Sequence, residues 1–428
     1  MDKPRWVIRP LTLLFLCATT ATALLAQTTL TTLYKFNVTD GEYPIAPLIQ
    51  ASDGNLYGTT GYGGANGIGT VFSITTTGAL TTLHNFAGME GAYPTAALVQ
   101  GNNGIFYGTA AEGGANGAGT IYEITSHGRL GTLYSFCAQT YCADGASPTA
   151  PLVQPINGKL YGTTNYGGAN NNGTVFSITL RGNLASLQSF DNPGGYEPVA
   201  GLVQGANGKF YGTTQFGGVN SDGTIYTITG AGVLTTLHNF SDTDGANPVA
   251  GLIQGSNGNF YGTTQYGGAN GYGTAFKISP SGKLKTLYSF CPQTGCLDGA
   301  EPTGALVQGT DGNLYGTTFF GGANYCGGLG CGTIFKITST GAFTTLYSFC
   351  SQTSCADGIG PYAGLIQGAD GNFYGTTEEG GQEYSYGTVF SFSAGLRGLR
   401  RTHPTSGDVH STNVLLPESK PEEILRAN

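Results

Sequence analysis

The chain has 428 residues and a formal net charge of −8. Glycine supplies 73 of them, Tyr and Phe supply 25 and 22, and only 10% are charged. Between Gln27 and Gly395 nine Lys/Arg stand against twenty Asp/Glu, so no basic stripe exists to neutralise phosphates, which excludes nucleic acid as a partner and disfavours anionic membrane surfaces.

In chain order, the first element is an export signal. Lys3, Arg5 and Arg9 precede an apolar stretch from Leu11 to Ala23, and Leu24-Leu25-Ala26 precedes Gln27. This pattern predicts a cleaved signal over residues 1–26. The stretch is short of the ~20 residues that span a bilayer, and no later stretch is long enough, so membrane insertion is not expected. Export predicts a secreted or extracytoplasmic location, at the cell surface or in the periplasm.

A repeat of about 50 residues follows. The segment Leu30-Thr-Thr-Leu-Tyr-Lys-Phe36 returns six times, ending with Phe343–Phe349. Short apolar runs such as Ala97-Leu-Val-Gln100 precede seven copies of Asn55-Leu-Tyr-Gly-Thr-Thr60, and seven copies of Gly69-Thr-Val-Phe-Ser-Ile-Thr75 come next. Each unit thus holds four short β-branched and aromatic runs bounded by turn residues, the pattern of strands. Asp53-Gly54, Asn103-Gly104 and their equivalents lie between the first two runs and predict two-residue type I′ hairpins with φ > 0 at both central residues. Four-stranded antiparallel units in tandem predict an all-β fold, a seven-bladed β-propeller over residues 27–395. The series opens on a lone fourth strand, Leu30–Phe36, and ends on a third, Gly387–Ser393. The N-terminal strand is therefore expected to pair as the outer strand of the last blade and close the ring, removing exposed edges. Residues 396–428 read as a polar, disordered tail.

The motifs [LF]-x-[TS]-L-x-x-F, A/G-L-[VI]-Q, [LF]-Y-G-T-[TA]-x-x-G-G and G-T-[VIA]-[FY] resemble the Gly-rich tandem repeat of bacterial secreted proteins known as the choice-of-anchor, GloVer-type family. The resemblance covers about Leu30 to Ser393. It implies export and surface attachment and carries no established activity. Here the C-terminal segment shows no sorting helix or anchor motif.

Past the signal, the cysteines form four C-x4-C pairs: Cys137/Cys142, Cys291/Cys296, Cys326/Cys331 and Cys350/Cys355. An even count behind a signal peptide predicts local disulfides, and the spacing departs from the C-x2-C of structural zinc sites. With the fourth strand outermost, the fourth-to-first and second-to-third connections share one face. All four cysteine segments fall there, and insertions in repeat proteins gather on the variable, binding face. The same face carries an aromatic series after the second strand: Tyr62, Tyr166, Phe216, Tyr266 and Phe320. These offer stacking platforms for sugars, or else caps on the core. Asn66 and its equivalents offer hydrogen bonds to a ligand, or else hold turns.

The expected function is a non-catalytic, monomeric extracellular module that binds a glycan or protein and needs no cofactor. The alternative is a carbohydrate-active hydrolase or lyase. Glu112 and Glu379 replace the aromatic in the second and seventh blades, and paired carboxylates are the usual equipment of glycoside hydrolysis. Asp242, Asp244 and Asn247 resemble the start of a calcium loop but lack its terminal bidentate Glu. They read rather as a turn.

Overall fold

A computed structural model describes residues 28–381, 386–396 and 398. The expected export signal, and the expected tail apart from 396 and 398, lie outside these residues. No helix among the described residues is long and apolar enough to cross a membrane.

The described residues form seven antiparallel blades arranged as a closed propeller. In the first blade the strands Ile49–Gln50, Leu56–Thr60, Thr70–Ile74 and Leu80–Asn85 run consecutively from the innermost to the outer position. The last blade takes three strands, Ile366–Gln367, Phe373–Thr377 and Thr388–Ser393, from the end of the repeat series. Its outer strand is Thr29–Lys35, with Thr29 opposite Ser393 and Lys35 opposite Thr388. Ring closure by the N-terminal strand is thus observed.

The core lies between blades. Tyr57, Val71 and Phe86 of the first blade cluster with Leu98, Phe106, Tyr122 and Ile124 of the second. Phe36, Tyr374 and Val389 form the equivalent cluster with Leu48, Leu56 and Phe72 across the closing seam. At each seam the outer-strand Phe meets the next blade's third-strand ring edge-on, as in Phe36–Phe72 at 5.2 Å and Phe349–Phe390 at 5.3 Å. Such pairs contribute beyond their buried area. The Gly of the Tyr-Gly-Thr-Thr motif is explained by the same packing. A Cβ on Gly58 would stand 2.6 Å from Phe72 Cζ and 2.8 Å from Leu48 Cδ2, so the rings leave no room for a side chain.

The hairpins differ from expectation. Ala51 N–H donates to Asn55 O, and Gly54 N–H donates to Ala51 O. Gly54 has φ 89°, while Asp53 is absent from the positive-φ residues. The loop is a three-residue type I turn closed by a left-handed glycine, the other common hairpin solution. Asp53 is selected by its side chain, which accepts from Tyr57 Oη at 2.7 Å and from Asn55 N–H at 3.0 Å.

A glutamine girdle ties the innermost strands together on this hairpin face. Gln100 accepts from Ser52 N–H of the preceding blade, and Gln50 accepts from Ala369 N–H across the closing seam. The third blade deviates. Pro155 stands where the other blades have Gly or Ala and has no N–H to continue the ladder. Its innermost strand is reduced to a single bridge, Val153 with Tyr161.

Candidate functional site

The segments leading into the innermost strands line an axial cavity of about 510 Å³, with contributions from all seven blades, among them Ile45, Thr95, Thr149, Val199, Val249, Thr303 and Tyr362. Its walls are mostly aliphatic and small. The mouth on the loop-bearing face is built from three positions that recur in every blade.

The first position precedes a proline and has a left-handed backbone: Tyr43 (φ 53°), Tyr93 (56°), Ser147 (55°), Glu197 (54°), Asn247 (55°), Glu301 (53°) and Gly360 (61°). Six of the seven are not glycine, although this conformation costs a non-Gly residue about 1–2 kcal/mol. The surroundings over-determine it. Tyr93 N–H donates to Ile68 O of the preceding blade, and Tyr93 O accepts from Ala111 N–H of its own. The following proline rests on the preceding blade's glycine, where a Cβ on Gly69 would lie 2.5 Å from Pro94 Cδ. That contact accounts for both the recurrent Gly before Thr-Val-Phe and the recurrent proline.

The second position directly follows the second strand. It holds amides in the middle blades (Asn165, Gln215 and Gln265), then Phe319 and Glu378, but only Gly61 and Ala111 in the first two. Asn165, Gln215 and Gln265 line the cavity. Gln265 donates to Glu301 at 3.1 Å and to Tyr266 Oη at 3.0 Å. Burial, and then the charge of Glu379, push the Glu378 carboxyl above its ordinary range. Burial does the same to Glu197.

The third position is the aromatic series read from the sequence. Tyr62, Tyr166 and Tyr266 are 46%, 43% and 40% exposed, so these rings are open to a ligand. Phe216 and Phe320 are half-buried, Phe216 against Tyr196 at 5.4 Å and Phe320 against Phe319 at 4.6 Å. Each third position bridges the incoming connection, as Tyr62 does with Glu42 and Glu379 with Ile359. Glu112 and Glu379 hold equivalent positions two blades apart, with Tyr62 at the equivalent place between them.

Other candidates are bound into the fold. Asn66, Asn170 and Asn220 each donate to the backbone O of an outer-strand phenylalanine, Phe86, Phe190 and Phe240, so they hold loops. Asp244 accepts from His238 Nε2 at 3.0 Å and from Ser241 N–H at 2.9 Å. Asp144 and Asp357 cap their connections in the same way. Asp242 O accepts from Gly268 N–H, and Asn247 is the left-handed residue before Pro248.

The cysteine segments form the four expected disulfides, Cys137–Cys142, Cys291–Cys296, Cys326–Cys331 and Cys350–Cys355, each within its own loop. Three of these cysteines also tie their loops to the blade, and the first is Cys142, whose carbonyl accepts from Gly145 and Gly168 N–H. Cys296 is buried at 1% exposure, and its carbonyl accepts from Gly299 and Gly322 N–H. Cys355 ends a short 3-10 turn, Thr353–Cys355, and its carbonyl accepts from Gly358 and Gly381 N–H. The reason is physical: a buried loop carbonyl needs a donor, and the Gly-Gly loop after the second strand supplies it. Cys142, Cys296 and Cys355 therefore anchor their loops to the blade. The Cys326, Cys331 and Cys350 sulfurs lie within 4.8 Å of one another, but each is held in a disulfide and offers no thiolate to a metal.

Sequence reading missed the first two positions at the mouth. The signal was present: an x-Pro pair and a post-strand residue that vary between blades while their neighbours repeat.

The family model described as the Gloeobacter/Verrucomicrobia repeat matches residues 19–207 and 201–414. A comparison with curated proteins finds no match. Among solved structures, the ring is similar to an extracellular domain assigned to a hybrid two-component system of B. thetaiotaomicron. That match has a TM-score of 0.53 and 12% identity and covers 85% of this chain but 41% of that one, so this chain spans less than half of the longer protein. It is also similar to a protein assigned as a 6-phosphogluconolactonase from Bacteroides fragilis (TM-score 0.48, 19% identity, 76% of this chain and 88% of that one). A periplasmic gluconolactonase from Pseudomonas aeruginosa is comparable (0.48, 15%, 77% and 96%). At these identities the likeness concerns the propeller fold alone.

Proposed function

The chain belongs to the Gloeobacter/Verrucomicrobia repeat family, and from that premise we propose that it is an extracytoplasmic, non-catalytic binding module whose loop-bearing face takes a glycan at the channel mouth. One observation carries this reading. Between blades the turn glycines and the buried seam residues repeat almost unchanged, while side-chain identity varies at all three mouth positions. Strand positions such as Ser73, Glu123 and Lys277 vary too, but the mouth positions gather round one channel, and variable residues gathered on the loop-bearing face suit a binding surface. Exposed tyrosines supply stacking surface, and the amides of Gln215 and Gln265 supply hydrogen bonds suited to hydroxyls. Four disulfides support an oxidising compartment.

The test is a screen of the purified protein against soluble polysaccharides, peptidoglycan fragments and extracellular proteins. Tyr166→Ala combined with Tyr266→Ala is expected to weaken glycan binding at least tenfold with an unchanged melting temperature. Unaltered binding in that variant, or binding of a protein alone, overturns the reading.

The adjacent carboxylates Glu378 and Glu379 favour a second reading, a hydrolase or lyase. Burial raises the Glu378 carboxyl beside its neighbour, and two carboxyls in unlike surroundings are the arrangement that separates acid and base roles. Release of new sugar ends that disappears with Glu378→Gln would establish it, and Glu112→Gln would show whether the second blade takes part.

A further inference from the structure

The two faces of the ring differ in charge. Among the described repeat residues, only four acidic ones (Asp53, Glu123, Asp311 and Asp370) lie at the hairpin face, and the rest lie in the loop-face connections. Of the basic residues, Lys35 alone ends a strand on the loop side; the others lie in or beside the opposite turns. A mouth so charged concentrates cations and repels anions.

Within the mouth, the sevenfold pattern is interrupted in one sector. Gly61 and Ala111 leave the second position nearly empty in two adjacent blades. The backbone does not require Gly61, because a Cβ there would lie 3.6 Å from Tyr43 O and 3.7 Å from Thr95 Cγ2, ordinary contacts. In the third blade, Thr149 Oγ1 donates to Asn165 at 2.9 Å. In the second blade Ala111 replaces that amide, and the buried Thr95 hydroxyl has no hydrogen-bond partner. Gly61 N–H donates to Tyr43 O and Ala111 N–H to Tyr93 O, so three rings gather beside the notch. Tyr43 and Tyr62 stand 5.8 Å apart at 85°, and Tyr62 and Tyr93 stand 5.0 Å apart at 57°. Glu42 pairs with Tyr62 in a backbone bridge, and burial, then the carboxylates of Glu379, Glu42 and Glu378, push the Tyr43 phenol up.

We propose that this notch binds an organic ammonium group carried by an amino-sugar chain, an inference that rests on the loop face being a glycan surface. Rings set at steep angles present π-faces to one cation, and the carboxylates supply its counter-charge. The neutral amides further round the mouth suit hydroxyls and suit a run of lysines poorly.

The test is calorimetric titration of the purified protein with a fully deacetylated glucosamine hexasaccharide, its N-acetylated counterpart and hexalysine. The deacetylated chain is expected to bind at least tenfold more tightly than the acetylated one and to weaken as salt rises. Tyr62→Ala is expected to weaken it at least tenfold. Gly61→Gln, which installs the residue found at this position in two other blades, is expected to block the notch without changing the melting temperature. Equal binding of the two oligosaccharides, or full binding by Gly61→Gln, overturns the ammonium site and leaves the glycan face standing. Preference for hexalysine overturns the sugar assignment. Binding of none of the three overturns the ammonium site, and the polysaccharide screen then decides whether the glycan face falls with it.

Discussion

Tyr122 and Tyr226 show how the ring tolerates a local cost. Five blades place Phe at this third-strand position, and two place Tyr. Both hydroxyls are buried without a hydrogen-bond partner, and burial alone pushes both phenols far above their ordinary value. Leaving a buried hydroxyl unsatisfied costs about 1–3 kcal/mol. Tyr122→Phe and Tyr226→Phe are therefore each expected to stabilise the fold by about 1 kcal/mol in denaturant unfolding. Glu90 is the reverse case. Burial opposes its charge, but hydrogen bonds from its own N–H, from His84 and from Ala87 N–H hold its carboxyl below the usual range. A lowered folded value means the stabilisation is fully present above the unfolded value and is lost as pH falls through the folded one. Glu90→Gln should thus cost about 0.5 kcal/mol at neutral pH, discounted for exposure. The loss should shrink as pH falls below the ordinary carboxylate range, where unfolding of both proteins would show the two converging. None of these three residues was legible as special in the sequence, because burial and partners follow only from the surroundings each side chain enters.

At the scale of elements, strands and their order were legible because the apolar runs and glycine turns repeat in phase. Turn type was not. Asp-Gly and Asn-Gly fit two hairpin geometries, and the bond that Tyr57 Oη donates to Asp53 joins a strand to a turn, which turn chemistry alone does not name. Phe36 follows the N-terminal strand and packs into the closing seam. Phe36→Ala is expected to cost about 3–5 kcal/mol and to expose an edge, seen as a lower melting temperature with concentration-dependent association. The cysteine loops are separate elements. Their pairing was legible from spacing, but the anchoring of Cys142, Cys296 and Cys355 to the Gly-Gly loops was not, since it joins segments more than twenty residues apart. Each disulfide closes a short ring, so replacing Cys137 and Cys142 by Ser should cost about 2 kcal/mol on the chain-entropy model, measured against the intact protein by denaturant unfolding.

For the whole molecule, the sequence disclosed which face bears the insertions, since strand order and loop lengths suffice for that. It did not disclose that Tyr43, Tyr62 and Tyr93 converge beside Glu42 and Glu379. That meeting depends on the seam between the first and last blades, which joins the two ends of the repeat series. The same seam sets an order in time. Thr29–Lys35 is the first strand of the ring to be synthesised, yet its partner Thr388–Ser393 is the last. Until then the early strand has a hydrogen-bonding edge and Phe36 has no pocket. Non-local pairing of this kind is slow and leaves the chain open to association. Completion of the ring is therefore withheld until the seventh blade exists, and the ammonium notch, which borrows Glu378 and Glu379 from that blade, is the last part of the surface to come into being.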